Sequence, residues 1–232
     1  MTAICRHNPI LQHRLATLLQ AGDAAQLLEA LQGLSNKEAR TAGYLLGEVL
    51  LPGLPDGAAF WQFFLPVVSA DSKAYLGTFL KAALRLYEAQ RLTFDSPQLT
   101  AFAAECTPVD REKVIKATLP VLRSPEEAQH LLRIFGFKPD KHSAFYLLQG
   151  GTAVCYYLLF NTLKVVEEES ILQFCCKTLV RKGDTLSFNM ASILCQYFDL
   201  KDVPGVFSLH VEPYKFSRLD LSFESFRNIL LQ

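Results

Sequence analysis

The chain has 232 residues, half of them hydrophobic, and its 23 basic side chains balance 23 acidic ones. This composition supplies enough apolar surface for a large buried core and excludes a mostly disordered chain. The even charge, without a long run of either sign, argues against a protein that binds nucleic acid mainly through its phosphates.

The first half of the chain predicts six helices, because apolar residues recur there at helical spacing and capping residues precede several of the runs. Ser35 and Glu38 have the spacing of a capping box. Ser96 stands directly before Pro97, and proline at the first helical position loses no needed hydrogen bond. The predicted helices cover residues 9–20, 23–33, 36–51, 57–68, 71–90 and 97–105.

The second half predicts seven more helices from the same signals. Thr107 and Ser124 each precede a proline, and Ser124 with Glu127 forms a second capping-box pattern. Gly150-Gly151-Thr152 predicts a turn, with Thr152 capping the helix that follows. This turn argues against a membrane span in the uncharged stretch 143–163. The predicted helices cover residues 108–122, 125–135, 140–149, 152–164, 168–181, 185–198 and 221–231.

One segment, 201–219, does not follow the helical pattern. Residues 206–211 alternate between apolar and polar positions, and Pro213-Tyr214 is typical of a turn. The pattern predicts either a small β-hairpin at 206–219 or an irregular loop.

These elements predict an all-α protein of serial antiparallel helical hairpins, because nearly every connection is short. We expect a single helical domain over 1–232, or two sub-lobes covering 1–106 and 107–232. Helix starts at 36, 71 and 108 are spaced as in helical-hairpin arrays, and the pattern resembles a degenerate HEAT-type array. This predicts right-handed α-solenoid-like stacking, with a closed multi-helix bundle as the alternative.

Residues that carry chemistry are scattered. None of the six cysteines has CxxC spacing, so we expect buried reduced thiols. The five histidines lack zinc-ligand spacing, and His130 falls on the polar face of its helix, as a solvated side chain would. No GxSxG motif or glycine-rich phosphate loop occurs. The sequence therefore predicts no catalytic residues, no cofactor and no bound metal.

Three residues are the candidates for contact with a partner: Trp61, Tyr44 and Glu48. Trp61, the only tryptophan, lies in the aromatic run Phe60 to Phe64, whose rings cannot all face one side of a helix. At least one of these rings should reach the surface or a groove, although packing in the core is the simpler interpretation. Glu48 lies in an apolar stretch, where it would pair with Lys37 or Arg40 or face a groove.

The predicted function is a non-enzymatic scaffold that binds a protein or peptide, because antiparallel helix pairs build extended recognition surfaces. Two alternatives stay open: a pocket for a hydrophobic small molecule or lipid, and an enzyme whose site assembles only in three dimensions. No secretory signal pattern occurs in residues 1–8, which predicts a cytoplasmic protein. The identity of the partner and the oligomeric state stay open.

Overall fold

A computed structural model describes residues 8–70, 72–200 and 221–231 of the chain. These residues form thirteen α-helices and no strand, which confirms the prediction of an all-α protein. The β-hairpin predicted at 206–219 lies outside the described residues, as does Cys5.

The chain divides into two compact units, Met1–Val121 and Leu122–Gln232. The helices of the first unit are α1 (Pro9–Ala21), α2 (Ala24–Gln32), α3 (Asn36–Leu45), α4 (Gly57–Ala70), α5 (Ser72–Glu88), α6 (Pro97–Glu105) and α7 (Pro108–Thr118). The helices of the second unit are α8 (Pro125–Ile134), α9 (Lys141–Gly150), α10 (Ala153–Val166), α11 (Glu169–Lys182), α12 (Thr185–Tyr197) and α13 (Phe223–Leu230).

The predicted capping residues lie at the N-termini of the helices that they were predicted to begin. Ser96, Thr107 and Ser124 each accept a hydrogen bond from a backbone N–H of the first turn. Ser35 and Glu38 form the predicted capping box. At α8, the Ser124 hydroxyl donates to the carboxylate of Glu126 at 2.5 Å, and the capping box predicted with Glu127 is not formed. Because these signals are local in sequence, the helix starts could be predicted without knowledge of the tertiary fold.

Within each unit, helices pack against the next helix but one, and the sequential pairs α1–α2, α4–α5, α9–α10 and α11–α12 also pack together. In the first unit, α2, α4 and α6 form one row, and α1, α3, α5 and α7 form another. In the second unit, α8, α10 and α12 form one row and α9 contacts α11, while α13 packs on α10 and α12.

The helix predicted over 36–51 is interrupted. α3 ends at Leu45 and continues as a π-helical turn over Leu46–Leu50, then as a 3₁₀ turn over Leu51–Gly53. Gly47 lies in the π turn against Thr78 of α5, where an added Cβ would be 3.3 Å from the Thr78 carbonyl oxygen. The change in helix type thus occurs where α5 approaches the backbone closely, a contact that local sequence does not reveal.

The uncharged stretch 143–163 contains most of α9, a tight turn and most of α10. Gly151 adopts a φ of 69°, in the left-handed region that favours glycine. Thr152 accepts a hydrogen bond from the Cys155 N–H and so caps α10, as predicted. None of the described helices is both long enough and apolar enough to cross a membrane.

Candidate functional site

Trp61 lies in the interior of the first unit, among aromatic rings of α4 and of the loop that follows α5. Its ring meets those of Phe60 and Phe64 edge-on, at centroid distances of 5.1 and 4.9 Å, and that of Phe94 at 6.3 Å. Only 5% of the residue is exposed. A partner could therefore reach no more than one edge of the indole.

That edge lines a surface depression of about 640 Å³ formed by α4 and the segment from Gln90 to Gln98. Arg91 contributes the cation of this depression, and its guanidinium donates to the carbonyls of Pro55 at 3.2 Å and Pro52 at 3.4 Å. The charged group next to Trp61 thus holds two chain segments together. Tyr44 and Glu48 are not among the residues that line this depression.

Glu48 lies in the π turn and forms an ion pair with Lys81 and with Arg85 of α5. The hydrogen bond from Lys81 is the main cause that holds the pKa of Glu48 below its ordinary value. The prediction of a structural salt bridge is confirmed, whereas the predicted partners, Lys37 and Arg40, were wrong. The partners are residues of α5 and not Arg40 and Lys37, which lie 8 and 11 positions earlier in sequence, because the π turn directs Glu48 toward α5.

Another concave surface lies in the second unit, which we call the α8–α10 groove. It has a volume of about 610 Å³, within the range of ligand-binding clefts. The groove is formed by α8, the connection to α9, the start of α9 and the second half of α10. Its lining residues are Glu126, Gln129, His130, Leu132, Arg133, Phe137, Lys138, Pro139, Ser143, Leu158, Asn161, Thr162 and Val165.

The polar face of α8 forms one side of this groove. Its apolar face, with Ala128 and Leu131, is buried in the core, so Glu126, His130 and Arg133 lie on the opposite side. On α10, Leu158, Thr162 and Val165 follow helical spacing and form the facing wall. The groove therefore has charged groups on one side and mostly apolar groups on the other.

His130 occupies an unexpected environment. Sequence patterning predicts a solvated side chain; the residue is half-buried, and its Nε2 edge is the part that is shielded from water. The Arg133 guanidinium donates to Nδ1 at 3.0 Å, which in the neutral imidazole leaves the proton on Nε2. Nε2 is buried, and no atom of the described residues accepts its hydrogen bond. A buried donor without an acceptor costs free energy, so an acceptor that enters the groove and displaces the atoms covering Nε2 would remove this cost.

Two cations flank His130 in the groove, Arg133 on α8 and Lys138 on the connection to α9, and both are exposed. The one acid of the lining, Glu126, is held at the start of α8 by the Ser124 hydroxyl, which lowers the pKa of its carboxyl group. The lining as a whole thus carries more positive than negative charge. With the Nε2–H donor, these cations suit a carboxylate better than a neutral or cationic ligand.

The apolar lining of the groove adds a second kind of contact. Phe137, Leu158 and Val165 border the cavity, and Val165 is 69% exposed. An aliphatic or aromatic group of a ligand would remove this surface from water. The groove therefore places two cations and a hydrogen-bond donor next to exposed apolar surface.

Among the described residues, no group of three or more His, Cys, Asp or Glu side chains is placed to bind a metal ion. No family model, no curated protein and no solved structure matches the chain. The arrangement of its own residues is therefore the basis for any functional interpretation.

Sequence reasoning did not identify the α8–α10 groove. The polar face of α8 was recognised, but nothing in a single helix indicates which other helix covers part of it. A usable signal was present on α10, where Asn161 and Thr162 interrupt an otherwise apolar helix. Two polar residues in such a helix indicate a surface that is not fully buried.

Proposed function

We propose that the chain is a non-enzymatic binding module that recognises an acidic, partly apolar peptide segment of a protein partner in the α8–α10 groove. The observation that carries this proposal is the buried Nε2–H of His130, which has no acceptor in the part of the chain that the structure describes and is flanked by Arg133 and Lys138. One carboxylate of the peptide accepts from these groups, and a neighbouring apolar side chain packs on Phe137 and Leu158.

The packing of alternate helices supports this function. Rows of helices such as α2, α4 and α6 are what α-solenoid-like stacking of a degenerate HEAT type would produce within a unit. Proteins with such stacking use their extended surfaces to bind peptides and other proteins, which is an argument from architecture. We therefore retain the solenoid-like arrangement as part of the proposal.

The composition of the groove favours a peptide over a lipid or another hydrophobic small molecule. Exposed polar or charged residues line it, including Glu126, Gln129, Arg133 and Lys138. A site for a lipid chain would be enclosed, whereas this groove, although much of its lining is apolar, is open to solvent along its charged side. A peptide satisfies both the charged rim and the apolar wall.

Selection from a library of random peptides tests the proposal. We expect the protein to enrich peptides that place Asp or Glu beside a large apolar residue. In the double variant Arg133→Gln/Lys138→Gln, the affinity for the best peptide should fall by roughly tenfold or more, since charge-assisted hydrogen bonds are lost. Binding of that peptide should also shift the NMR signal of the His130 Nε2, a readout that a general loss of stability would not produce.

The matched control is Lys177→Gln/Arg181→Gln, which removes two exposed cations of the second unit that do not line the groove. This control should retain the affinity of the parent protein. Enrichment of peptides without acidic residues, or equal loss of affinity in both double variants, would contradict the proposal.

A further inference from the structure

Two cysteine side chains meet between α11 and α12 of the second unit. The Sγ atoms of Cys176 and Cys195 lie 3.9 Å apart. A disulfide requires about 2.05 Å, so the sulfurs must approach each other by about 2 Å to bond. The two residues are separated by 19 positions in sequence, and the hairpin of the two helices brings them together.

The two thiols differ in their access to solvent. Cys176 is fully buried, whereas Cys195 is partly exposed. The hydrogen bond between them lowers the pKa of Cys195, while that hydrogen bond and burial raise the pKa of Cys176. The thiolate is the reactive form of cysteine, and Cys195 is the member of the pair that solvent and a hydroperoxide can reach.

The remaining described cysteines have a different character. Cys106, Cys155 and Cys175 are buried, and burial raises the pKa of all three, that of Cys106 to about 11 and that of Cys175 to about 12. Thiols of this kind are chemically inert. Cys195 is the only described cysteine whose pKa is lowered.

We propose that Cys176 and Cys195 form an oxidisable dithiol site, which a hydroperoxide such as hydrogen peroxide converts into a disulfide that joins α11 to α12. This inference is independent of the peptide-binding function proposed above. It assigns Cys195 as the thiol that is oxidised first and Cys176 as the resolving thiol.

The chemistry proceeds in two steps. The Cys195 thiolate attacks one oxygen of the peroxide, an S–O bond forms, the O–O bond breaks, and the departing hydroxide takes up a proton to become water. The Cys176 sulfur then attacks the sulfur of this sulfenic acid. The S–S bond forms, the S–O bond breaks, and the hydroxide leaves as water with the proton of Cys176. In total, two thiols and one hydrogen peroxide give one disulfide and two waters.

Peptide mass spectrometry tests the site directly. The reduced protein is treated with hydrogen peroxide, its free thiols are alkylated, and it is digested with trypsin. Trypsin separates the fragment 165–177, which contains Cys175 and Cys176, from the fragment 183–201, which contains Cys195. We expect these fragments to be linked, with the loss of two hydrogens, and to separate again after treatment with dithiothreitol.

Variants identify the members of the pair. Cys195→Ser and Cys176→Ala should each abolish the link, whereas the matched control Cys175→Ala should retain it. Circular dichroism establishes whether each variant is folded. Where a variant is unfolded, formation of the link in the parent protein still tests the proposal. In the parent, the link should form faster in buffer than in denaturant, because the fold holds the sulfurs together. It should also raise the thermal midpoint by roughly 5 °C or more.

Several results would overturn the proposal. One is oxidation of Cys195 to sulfenic or sulfinic acid without a link to the other fragment. Another is a link that survives in Cys176→Ala, because Cys175 would then be the partner. A third is a disulfide between two chains, seen as a dimer on a non-reducing gel.

Discussion

The two units of the chain use polar groups differently. In the first unit, polar contacts between separate elements lie toward the surface, as where Glu48 pairs with Lys81 and where Gln62 donates to the Gly22 carbonyl. Three of its buried side chains, Thr41, Ser96 and Thr118, donate within their own helix or cap. Thr118, for example, donates to the carbonyl of Val114 at 2.7 Å.

In the second unit, hydrogen bonds between helices extend into the interior. The Tyr156 hydroxyl on α10 lies 2.7 Å from the Ser187 hydroxyl on α12, and both residues are buried. The Lys182 ammonium donates to the Leu148 carbonyl at 2.5 Å and so caps the end of α9. In the second unit, buried hydrogen-bonding groups determine which helices can pair. The first unit is stabilised instead by the packing of apolar rings. The groove with His130 belongs to the unit that tolerates polar groups in its interior.

The largest effect that we predict tests the apolar character of the first unit. Trp61→Ala should lower the free energy of unfolding by about 3–5 kcal/mol, because it leaves a cavity among Phe60, Phe64 and Phe94. Chemical denaturation followed by circular dichroism measures this change without using the lost tryptophan fluorescence.

Phe145→Ala is the control for Trp61→Ala, because the ring of Phe145 is 42% exposed. Phe145→Ala should lower the free energy of unfolding much less than Trp61→Ala does. A loss of stability below about 1 kcal/mol for Trp61→Ala would mean that the indole is a surface group, contrary to the packing described above.

The contrast between the units also separates what sequence can predict from what it cannot. Helix starts and the turn at Gly150-Gly151 were predicted because caps and glycines act over three or four residues. The separate reasons for the two glycines were not predicted. Gly151 is required by its positive φ, whereas a Cβ on Gly150 would collide with the Cys155 sulfur.

Tertiary contacts account for the features that sequence reasoning missed. The π turn after α3 depends on Gly47 meeting Thr78, and the environment of His130 depends on α10 lying beside α8. The approach of Cys176 to Cys195 depends on the relative rotation of two helices. The π turn and the approach of the two cysteines have no signature within one helical period, so only three-dimensional packing reveals them.

The next largest effect is a dependence of stability on pH, which tests the buried hydrogen bonds of the second unit. Burial raises the pKa of Tyr156 from its ordinary 10.0 to about 12. Between pH 10 and 12 the folded chain keeps this proton while the unfolded chain loses it, so stability present below pH 10 is lost as pH rises through 12. The contribution is roughly 2–3 kcal/mol.

Tyr156→Phe removes the titrating hydroxyl, and its stability should therefore fall less steeply than that of the parent over this interval. Tyr157→Phe is the control, because it deletes a different hydroxyl of α10, one that donates to the Leu221 carbonyl at 3.0 Å. Urea denaturation at pH 9, 10 and 11 measures the slopes. Equal slopes for Tyr156→Phe and the parent would show that this hydroxyl is in contact with water.

The smallest effect concerns the surface ion pairs of the first unit. Glu48→Gln removes the carboxylate that joins the π turn to Lys81 and Arg85. The thermal midpoint should fall by less than it does in Trp61→Ala or Tyr156→Phe. Because the fold lowers the pKa of Glu48 below 4.5, its contribution is present above that pH and is lost as pH falls through the lowered value. The difference between Glu48→Gln and the parent should therefore shrink in acid, and it should also shrink in high salt, which screens exposed charges.

Thermal melts at two pH values and two salt concentrations measure both changes, with Glu112→Gln, from the exposed pair with Lys116, as the control. A loss for Glu48→Gln as large as that for Trp61→Ala would mean that the first unit also depends on polar groups, and the contrast between the units would no longer hold.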